Sequence, residues 1–137
     1  MVGLCTDIFV ELHVPDFVAA IDFYGKLGFR EVRREANYLV LRRGNSIINF
    51  YGGSPSVVNH SHFSAFPPNT PRGFGVEIVF PVEEIDSYYE QLKSNVVEIV
   101  ADLKVRPWGK KDFRIVDPFG FYIRVTERYD MLRQEGI

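Results

Sequence analysis

Several features that mark whole classes of protein are scarce or absent in this sequence. Cysteine occurs once, at Cys5, so no intramolecular disulfide can form, which suits a reducing compartment. No apolar run approaches the ~20 residues that a membrane-spanning helix needs. The residues from Met1 to Asp7 do not combine a basic region with a long apolar stretch, so we predict no signal peptide. These absences predict a cytoplasmic protein without a membrane partner.

An excess of positive charge is also missing. Sixteen lysines and arginines stand against eighteen aspartates and glutamates, for a net charge of −2. A general nucleic-acid-binding protein would present a strongly basic face, so we expect no nucleic-acid partner. Apolar residues make up 46% of the chain and charged residues 25%, which is typical of a globular protein. A length of 137 residues predicts a single domain, 1–137.

Aromatic residues are abundant, with 12 Phe, 7 Tyr and one Trp, and most of them are expected in the core. Two short amphipathic helices are predicted from apolar spacing. The first begins after Pro15-Asp16 and ends at Gly28, and its apolar stripe is Ala20, Phe23, Tyr24 and Leu27. The second follows Pro81, has Glu83 and Glu84 in its first turn, and has the stripe Val82, Ile85, Tyr89 and Leu92.

Strands are predicted where apolar and polar residues alternate. They cover Ile8 to Val14, Tyr38 to Arg42, Ser46 to Tyr51, Val76 to Phe80, Phe113 to Val116 and Phe121 to Thr126. Hairpin turns are predicted at Arg43-Gly44-Asn45 and at Asp117-Pro118-Phe119-Gly120. In the second of these, proline and glycine occupy the positions typical of a type I turn.

The two halves of the chain resemble each other. Ile21 to Tyr24 is similar to Ile85 to Tyr88, and Tyr38 to Phe50 aligns without a gap with Phe113 to Val125, which matches Leu41 to Val116. Each half is therefore predicted to fold as strand, helix and three strands, in an α+β protein with modules at 5–52 and 74–128. The segment 53–73, rich in Pro, Ser, Asn and Gly, is the predicted linker. The alternative is a coincidence between two short amphipathic motifs.

Strand alternation assigns the remaining polar and aromatic residues to the sheet face opposite the helices. A sheet curled around that face would form a ligand cleft, and the alternative is a solvated outer face. We favour the solvated alternative for Glu11 and His13, near a strand end. The candidate ligand-binding residues on this face are Asn49, Tyr51, Glu77, Tyr122 and Arg124.

The chain resembles the vicinal oxygen chelate superfamily, which groups glyoxalases, bleomycin resistance proteins and extradiol dioxygenases. Asp16, Ala20 and Phe23-Tyr24 followed by Leu27-Gly28-Phe29 look like the family's first helix, and Trp108 to Phe113 followed by Asp117 to Gly120 look like its last hairpin. The resemblance implies two βαβββ modules that form an incomplete barrel around a cleft, and a homodimer.

Metal-dependent enzymes of this superfamily hold a divalent ion with His, Glu or Gln, one from each of four strands. The matching positions here are Phe9, Asn49, Glu77 and Arg124. Phenylalanine cannot coordinate a metal, arginine has no lone pair to offer, and asparagine is a poor ligand for a transition metal. We therefore expect no metal and no cofactor, and predict that Arg124 pairs with Glu77.

The bleomycin-resistance branch of the superfamily binds a drug without chemical change. Arg106-Pro107-Trp108-Gly109 lies where that branch places a tryptophan against its ligand, and Tyr38 matches an aromatic cleft position. The resemblance thus implies a protein that sequesters an aromatic or glycopeptide antibiotic-like molecule without turnover, with Trp108 and Tyr38 as walls. Trp108 could instead pack to fix its loop, and Tyr38 could belong to the core or an interface.

Two other functions remain open. A glyoxalase-like lyase, isomerase or dioxygenase could use a displaced metal or acid–base chemistry at Glu77. An accessory domain could have its cleft filled by a partner protein. His60 and His62 could also form a metal clip, although two histidines in a polar loop are usually solvent-exposed.

Overall fold

A computed structural model of the protein describes residues 7–67, 70–130 and 132. Cys5, where the first module was predicted to begin, lies outside the described residues. The chain divides into two compact units, with the boundary between Thr70 and Pro71. Within the described residues, every helix is too short or too polar to cross a membrane.

The first unit contains one helix and one mixed four-stranded sheet. Its elements are β1 (Glu11–Val14), α1 (Phe17–Lys26), β2 (Arg30–Arg34), β3 (Tyr38–Arg43) and β4 (Ser46–Gly52). The strand order is β1-β4-β3-β2, with β1 parallel to β4 and the other neighbours antiparallel. Two short 3-10 helices follow, at Pro55–Asn59 and Phe63–Ala65.

The second unit repeats this arrangement. Its elements are β5 (Glu77–Val82), α2 (Ile85–Ser94), β6 (Ile99–Val105), β7 (Lys111–Val116) and β8 (Tyr122–Glu127). The strand order is β5-β8-β7-β6, and β5 is parallel to β8 while the other neighbours are antiparallel. The predicted α+β fold of two βαβββ modules is confirmed. The residue ranges of β2 and β6 were not predicted from the sequence.

Each helix buries its apolar stripe against its own sheet. In α1 the Asp16 carboxylate accepts a hydrogen bond from the Ala19 backbone N–H at 3.1 Å, and Gly28 has a φ of 103° just beyond the helix, as predicted. The core of the first unit includes Val14, Ala20, Tyr24, Leu27, Leu39, Leu41 and Phe50. The core of the second unit includes Val82, Ile85, Leu92, Phe113, Ile115, Ile123 and Val125.

The second helix begins later than predicted. Glu84 has a left-handed φ of 51°, so it precedes the helix, and Asp86 is the acidic residue of the first turn. Val82 is buried as the last residue of β5 rather than on the helix. Pro81 is accommodated inside β5 because this strand lies at the edge of its sheet, where a missing N–H is tolerated.

The first strand of each module also begins later than predicted. Residues Ile8 to Val10 precede β1, because its pairing with β4 starts at Glu11 opposite Asn49. Val10 lies within the predicted strand but is exposed, and Phe9 is 59% exposed. Val76 likewise precedes β5 and is exposed.

The gapless alignment of the two halves is wrong by one residue in one strand. In the first unit Leu39 pairs with Phe50 and Leu41 with Ile48, whereas in the second Phe113 pairs with Val125 and Ile115 with Ile123. Leu41 therefore corresponds to Ile115 and not to Val116. A slip of one residue exchanges the two faces of a strand, so the gapless alignment would place the residues of β7 on the wrong face.

Candidate ligand-binding site

A cavity of about 440 Å³ lies in the second unit. Arg114 and Arg124 point into it from neighbouring strands. The residues next to each arginine along its strand are fully buried on the other face of the sheet. We call it the Trp108 cavity, and its walls are Glu77, Trp108, Lys110, Arg114, Arg124, Thr126 and Tyr129.

Trp108 lies in the connection between β6 and β7. The Arg106 backbone N–H donates to the Lys110 carbonyl at 2.9 Å, and the Gly109 N–H donates to the Arg106 carbonyl at 2.9 Å. Gly109 has a φ of 87°, a conformation that glycine adopts without strain. This tight connection places the half-buried Trp108 ring at the cavity wall.

A buried carboxylate holds the base of this connection. Asp112 is fully buried and accepts hydrogen bonds from Arg106 Nε at 2.6 Å and from Arg114 Nε at 3.1 Å. The side chains of Arg106 and Arg114 are only 12% and 18% exposed. Arg106 Nη2 also donates to the Asp102 carbonyl at 3.2 Å. Asp112 therefore links Arg106, in the connection that carries Trp108, to Arg114 in the cavity wall.

In this network the carboxylate and the guanidiniums stabilise each other's charged forms. Burial alone would raise the pKa of Asp112, but the hydrogen bonds from Arg114 and Arg106 outweigh it and lower the pKa. The hydrogen bond to Asp112 raises the pKa of Arg114 despite burial, with a further contribution from the bond that Arg114 Nη1 donates to the Tyr122 hydroxyl at 3.1 Å. Asp112 and Arg114 are therefore both charged at neutral pH.

The predicted pairing of Glu77 with Arg124 is confirmed. Arg124 Nε donates to Glu77 Oε1 at 2.5 Å, and both side chains line the Trp108 cavity. Tyr122 lines a second, more open cavity of about 480 Å³ that also includes Glu77. The structure thus brings together three of the predicted residues, Glu77, Trp108 and Arg124, with Tyr122 adjoining them.

The residues at the superfamily's metal positions do not fit a metal. The Glu77 carboxylate is bound by the Arg124 guanidinium, Phe9 has no donor atom, and Arg124 is a permanent cation. Among residues 7–67, 70–130 and 132, no group of three or more His, Cys, Asp or Glu side chains is placed to hold an ion. His60 Nδ1, half of the considered clip, accepts the backbone N–H groups of His62 and Phe63 at 3.1 and 3.4 Å.

The other predicted residues lie together on the sheet of the first unit. Tyr38 pairs across the strands with Tyr51, and Asn49 lies two residues before Tyr51 on the same face. The Tyr38 hydroxyl donates to Glu11 Oε2 at 2.6 Å. Burial, together with this hydrogen bond to a carboxylate, raises the pKa of Tyr38 to about 12.

His13 is packed rather than solvated, contrary to the sequence-based expectation. Its ring lies 5.0 Å from the rings of Tyr51, His60 and Phe63. The segment after β4, predicted to be a plain linker, therefore folds back onto the sheet and covers His13. Glu11 is exposed, as expected.

Sequence reasoning missed the residues that complete the Trp108 cavity and its support. Lys110 and Asp112 belong to the motif that suggested the last hairpin, but neither was chosen as a ligand-binding residue. Arg114 was hidden by the alignment error, because the correct register places it directly opposite Arg124. Strand alternation places Thr126 on the same face as Tyr122 and Arg124, but it was not chosen as a candidate. Arg106 and Tyr129 carried no sequence signal that distinguished them from solvated or core residues.

Comparisons with known proteins agree with this fold. Residues 8–125 match the family described as Glyoxalase/Bleomycin resistance protein/Dioxygenase superfamily. A bleomycin resistance protein from Klebsiella pneumoniae is 24% identical over 119 residues, which cover 82% of this chain and 84% of the relative.

Two solved structures illustrate the similarity. A bleomycin-binding protein crystallised with bleomycin superposes with a TM-score of 0.65 at 24% identity, over 90% of this chain and 100% of the other. A glyoxalase/bleomycin resistance protein/dioxygenase from Nocardioides superposes with a TM-score of 0.70 at 19% identity, over 96% of this chain and 88% of the other. The family match covers most of the sequence, and the chain belongs to the Glyoxalase/Bleomycin resistance protein/Dioxygenase superfamily.

Proposed function

We propose that this protein binds and sequesters a small planar aromatic or glycopeptide antibiotic-like molecule in the cytoplasm, without turnover. The observation that carries the proposal is the placement of Trp108, on a connection fastened by Arg106 and Asp112, at the wall of a 440 Å³ cavity. A wall residue held in place before binding loses little conformational freedom when the ligand arrives.

The shape and lining of the cavity support this proposal. Its volume lies within the ~300–1,000 Å³ that is usual for small-molecule sites. Trp108 and Tyr129 supply flat apolar surface, while Lys110, Arg114 and Arg124 supply hydrogen-bond donors. Tyr38, Asn49 and Tyr51 are proposed as further ligand contacts on the first unit's sheet, where they share one face.

Binding without turnover is favoured by the state of the acidic groups. A general base needs a pKa near the operating pH and a free acceptor oxygen facing the substrate. Asp112 is buried between two guanidiniums and has a lowered pKa. Glu77 is already bound by Arg124. The relative and the solved structure that are named for bleomycin also favour binding.

Trp108 provides a direct test of the proposed function because it is the chain's single tryptophan. We expect bleomycin or planar aromatic antibiotics to quench or shift Trp108 fluorescence saturably, with recovery of unchanged ligand by mass spectrometry after prolonged incubation. Conversion of the bound compound would favour the enzyme alternative. A panel without saturable binding would contradict the proposal.

We also propose a homodimer. Large apolar side chains are exposed just before the edge strand of each unit, among them Phe9 before β1 and Phe74, 92% exposed, before β5. Apolar side chains that are exposed together, as Ile8, Phe9 and Val10 are before β1, typically mark an interface. Sedimentation equilibrium is expected to give twice the mass of one chain, and the double substitution Ile8→Glu and Phe9→Glu to shift the protein toward monomer. A monomeric parent protein would disprove this.

A further inference from the structure

The walls of the Trp108 cavity carry an excess of positive charge. Lys110, Arg114 and Arg124 face it, against one lining carboxylate, Glu77. The chain as a whole has a net charge of −2, so this local excess runs against the overall balance. A charged cavity wall selects a ligand of opposite sign.

The two arginines lie in an arrangement that is unfavourable without a counter-ion. Arg114 and Arg124 are directly opposite each other on the antiparallel strands β7 and β8. Like charges at such positions repel, since the side chains are about 5 Å apart where they leave the sheet. Asp112 offsets the charge of Arg114 but is shared with Arg106, and Glu77 offsets that of Arg124.

Hydrogen-bond donors remain available beside these carboxylates. Within the described part of the chain, Arg124 donates its hydrogen bond to Glu77 through Nε. Its Nη1 and Nη2 therefore remain available for another acceptor. Lys110 has no carboxylate within 4.0 Å among the described residues, whereas its neighbour Lys111 lies 3.0 Å from Asp86. Among the described residues, Lys110 therefore carries a charge that no nearby carboxylate offsets, and Arg124 adds the donors of its two terminal nitrogens.

We propose that the ligand is an aromatic acid, whose carboxylate binds among Lys110, Arg114 and Arg124 while its planar ring lies against Trp108. This inference rests on the proposed function and narrows it. A planar guanidinium binds a carboxylate through two parallel hydrogen bonds, which fixes the direction of the ring. A cationic ligand in the same position would meet three positive side chains.

Three probes with one ring system and different charges test this proposal: 2-naphthoate, 2-naphthamide and 2-naphthylmethylammonium. In calorimetric titration at low salt, we expect naphthoate to bind about tenfold more tightly than the amide, and the ammonium compound most weakly. Added salt is expected to reduce the advantage of naphthoate, because it screens partly exposed charges.

Lys110 and Lys111 offer a matched pair of variants. Lys110→Met removes a charge from the cavity wall and breaks no ion pair of the described residues, so naphthoate binding is expected to weaken about fivefold while amide binding stays unchanged. Lys111→Met removes the same charge from outside the cavity and should leave naphthoate affinity unchanged. Glu77→Gln removes the lining carboxylate and should strengthen naphthoate binding.

The outcomes separate this inference from the proposed function. If the amide or the ammonium compound binds as tightly as naphthoate, the aromatic-acid assignment is overturned and aromatic binding stands. Equal losses in Lys110→Met and Lys111→Met would attribute the preference to overall charge and overturn the assignment to the cavity. If none of the three compounds binds, the aromatic-acid assignment is overturned, and the antibiotic titration of Trp108 fluorescence decides whether the proposed function stands.

Discussion

Replacement of Trp108 by alanine is expected to weaken the binding of planar aromatic ligands by about tenfold to a hundredfold. The variant loses the flat surface against which the ligand ring is proposed to lie, and burial of an aromatic surface stabilises a complex by about 1.5–3 kcal/mol. Calorimetric titration measures this loss without relying on the fluorescence that the substitution removes.

The protein should remain folded in this variant, because Trp108 is half-buried in a connection and lies outside the sheet core. The hydrogen bonds that close the connection come from the backbone of Arg106 and Gly109 and are retained. Trp108→Phe serves as the matched control, since it keeps an aromatic ring and should preserve most of the affinity. Equal affinity in Trp108→Ala and the parent protein would remove Trp108 from the site.

Replacement of Asp112 by asparagine is expected to lower the free energy of unfolding by about 3 kcal/mol at pH 7. Removal of one partner from a buried ion pair leaves the remaining charge poorly solvated, and here two arginines lose the same partner. For a domain of this size the corresponding fall in Tm is about 10 °C. Thermal unfolding followed by circular dichroism measures it.

This destabilisation should depend on pH. The pKa of Asp112 is lower in the folded protein than in the unfolded chain, so its stabilising contribution is complete above the unfolded pKa. The contribution is lost as the pH falls through the lowered folded pKa. The stability difference between the parent protein and Asp112→Asn is therefore expected to shrink in acid.

Asp86 provides the control for this substitution. It pairs with Lys111 at 3.0 Å but is well exposed, so Asp86→Asn should change stability by less than about 1 kcal/mol. If Asp112→Asn were as mild as Asp86→Asn, the buried network would not hold the Trp108 connection. If it is severe, the same variant should also bind ligand more weakly, because Arg106 and Arg114 lose their common anchor.

Local patterns were enough to predict most of the helices and hairpins. Asp16 marks the start of the first helix through its capping hydrogen bond, and Gly28 marks its end through its backbone preference. Both effects depend on neighbouring residues only. The turn from Asp117 to Gly120 forms for the same reason, with the Gly120 N–H bonded to the Asp117 carbonyl at 3.2 Å. The exposed strand β2 has no buried residue and so lacked an apolar pattern.

Long-range pairing decided what these patterns left open. The alternation in β7 is compatible with two alignments to the first half, and only the observed pairing with β8 places Arg114 opposite Arg124. The partner of Glu77 could be predicted because parallel β5 and β8 carry both residues on the same face. The partners of Asp112 could not, because Arg106 reaches it across a connection whose path depends on Gly109 and on the backbone bonds around it.

The sequence by itself thus determined the duplicated α+β modules and the family resemblance. It also determined the pairing of Glu77 with Arg124 and Trp108 as an aromatic residue of the last hairpin motif. Only the tertiary structure determined that His13 is covered, that Asp112 holds two arginines, and that Lys110, Arg114 and Arg124 line one cavity. Helix ends and turns are determined by residues a few positions apart. The charge of a cavity depends on strand register and side-chain packing, which bring distant residues together.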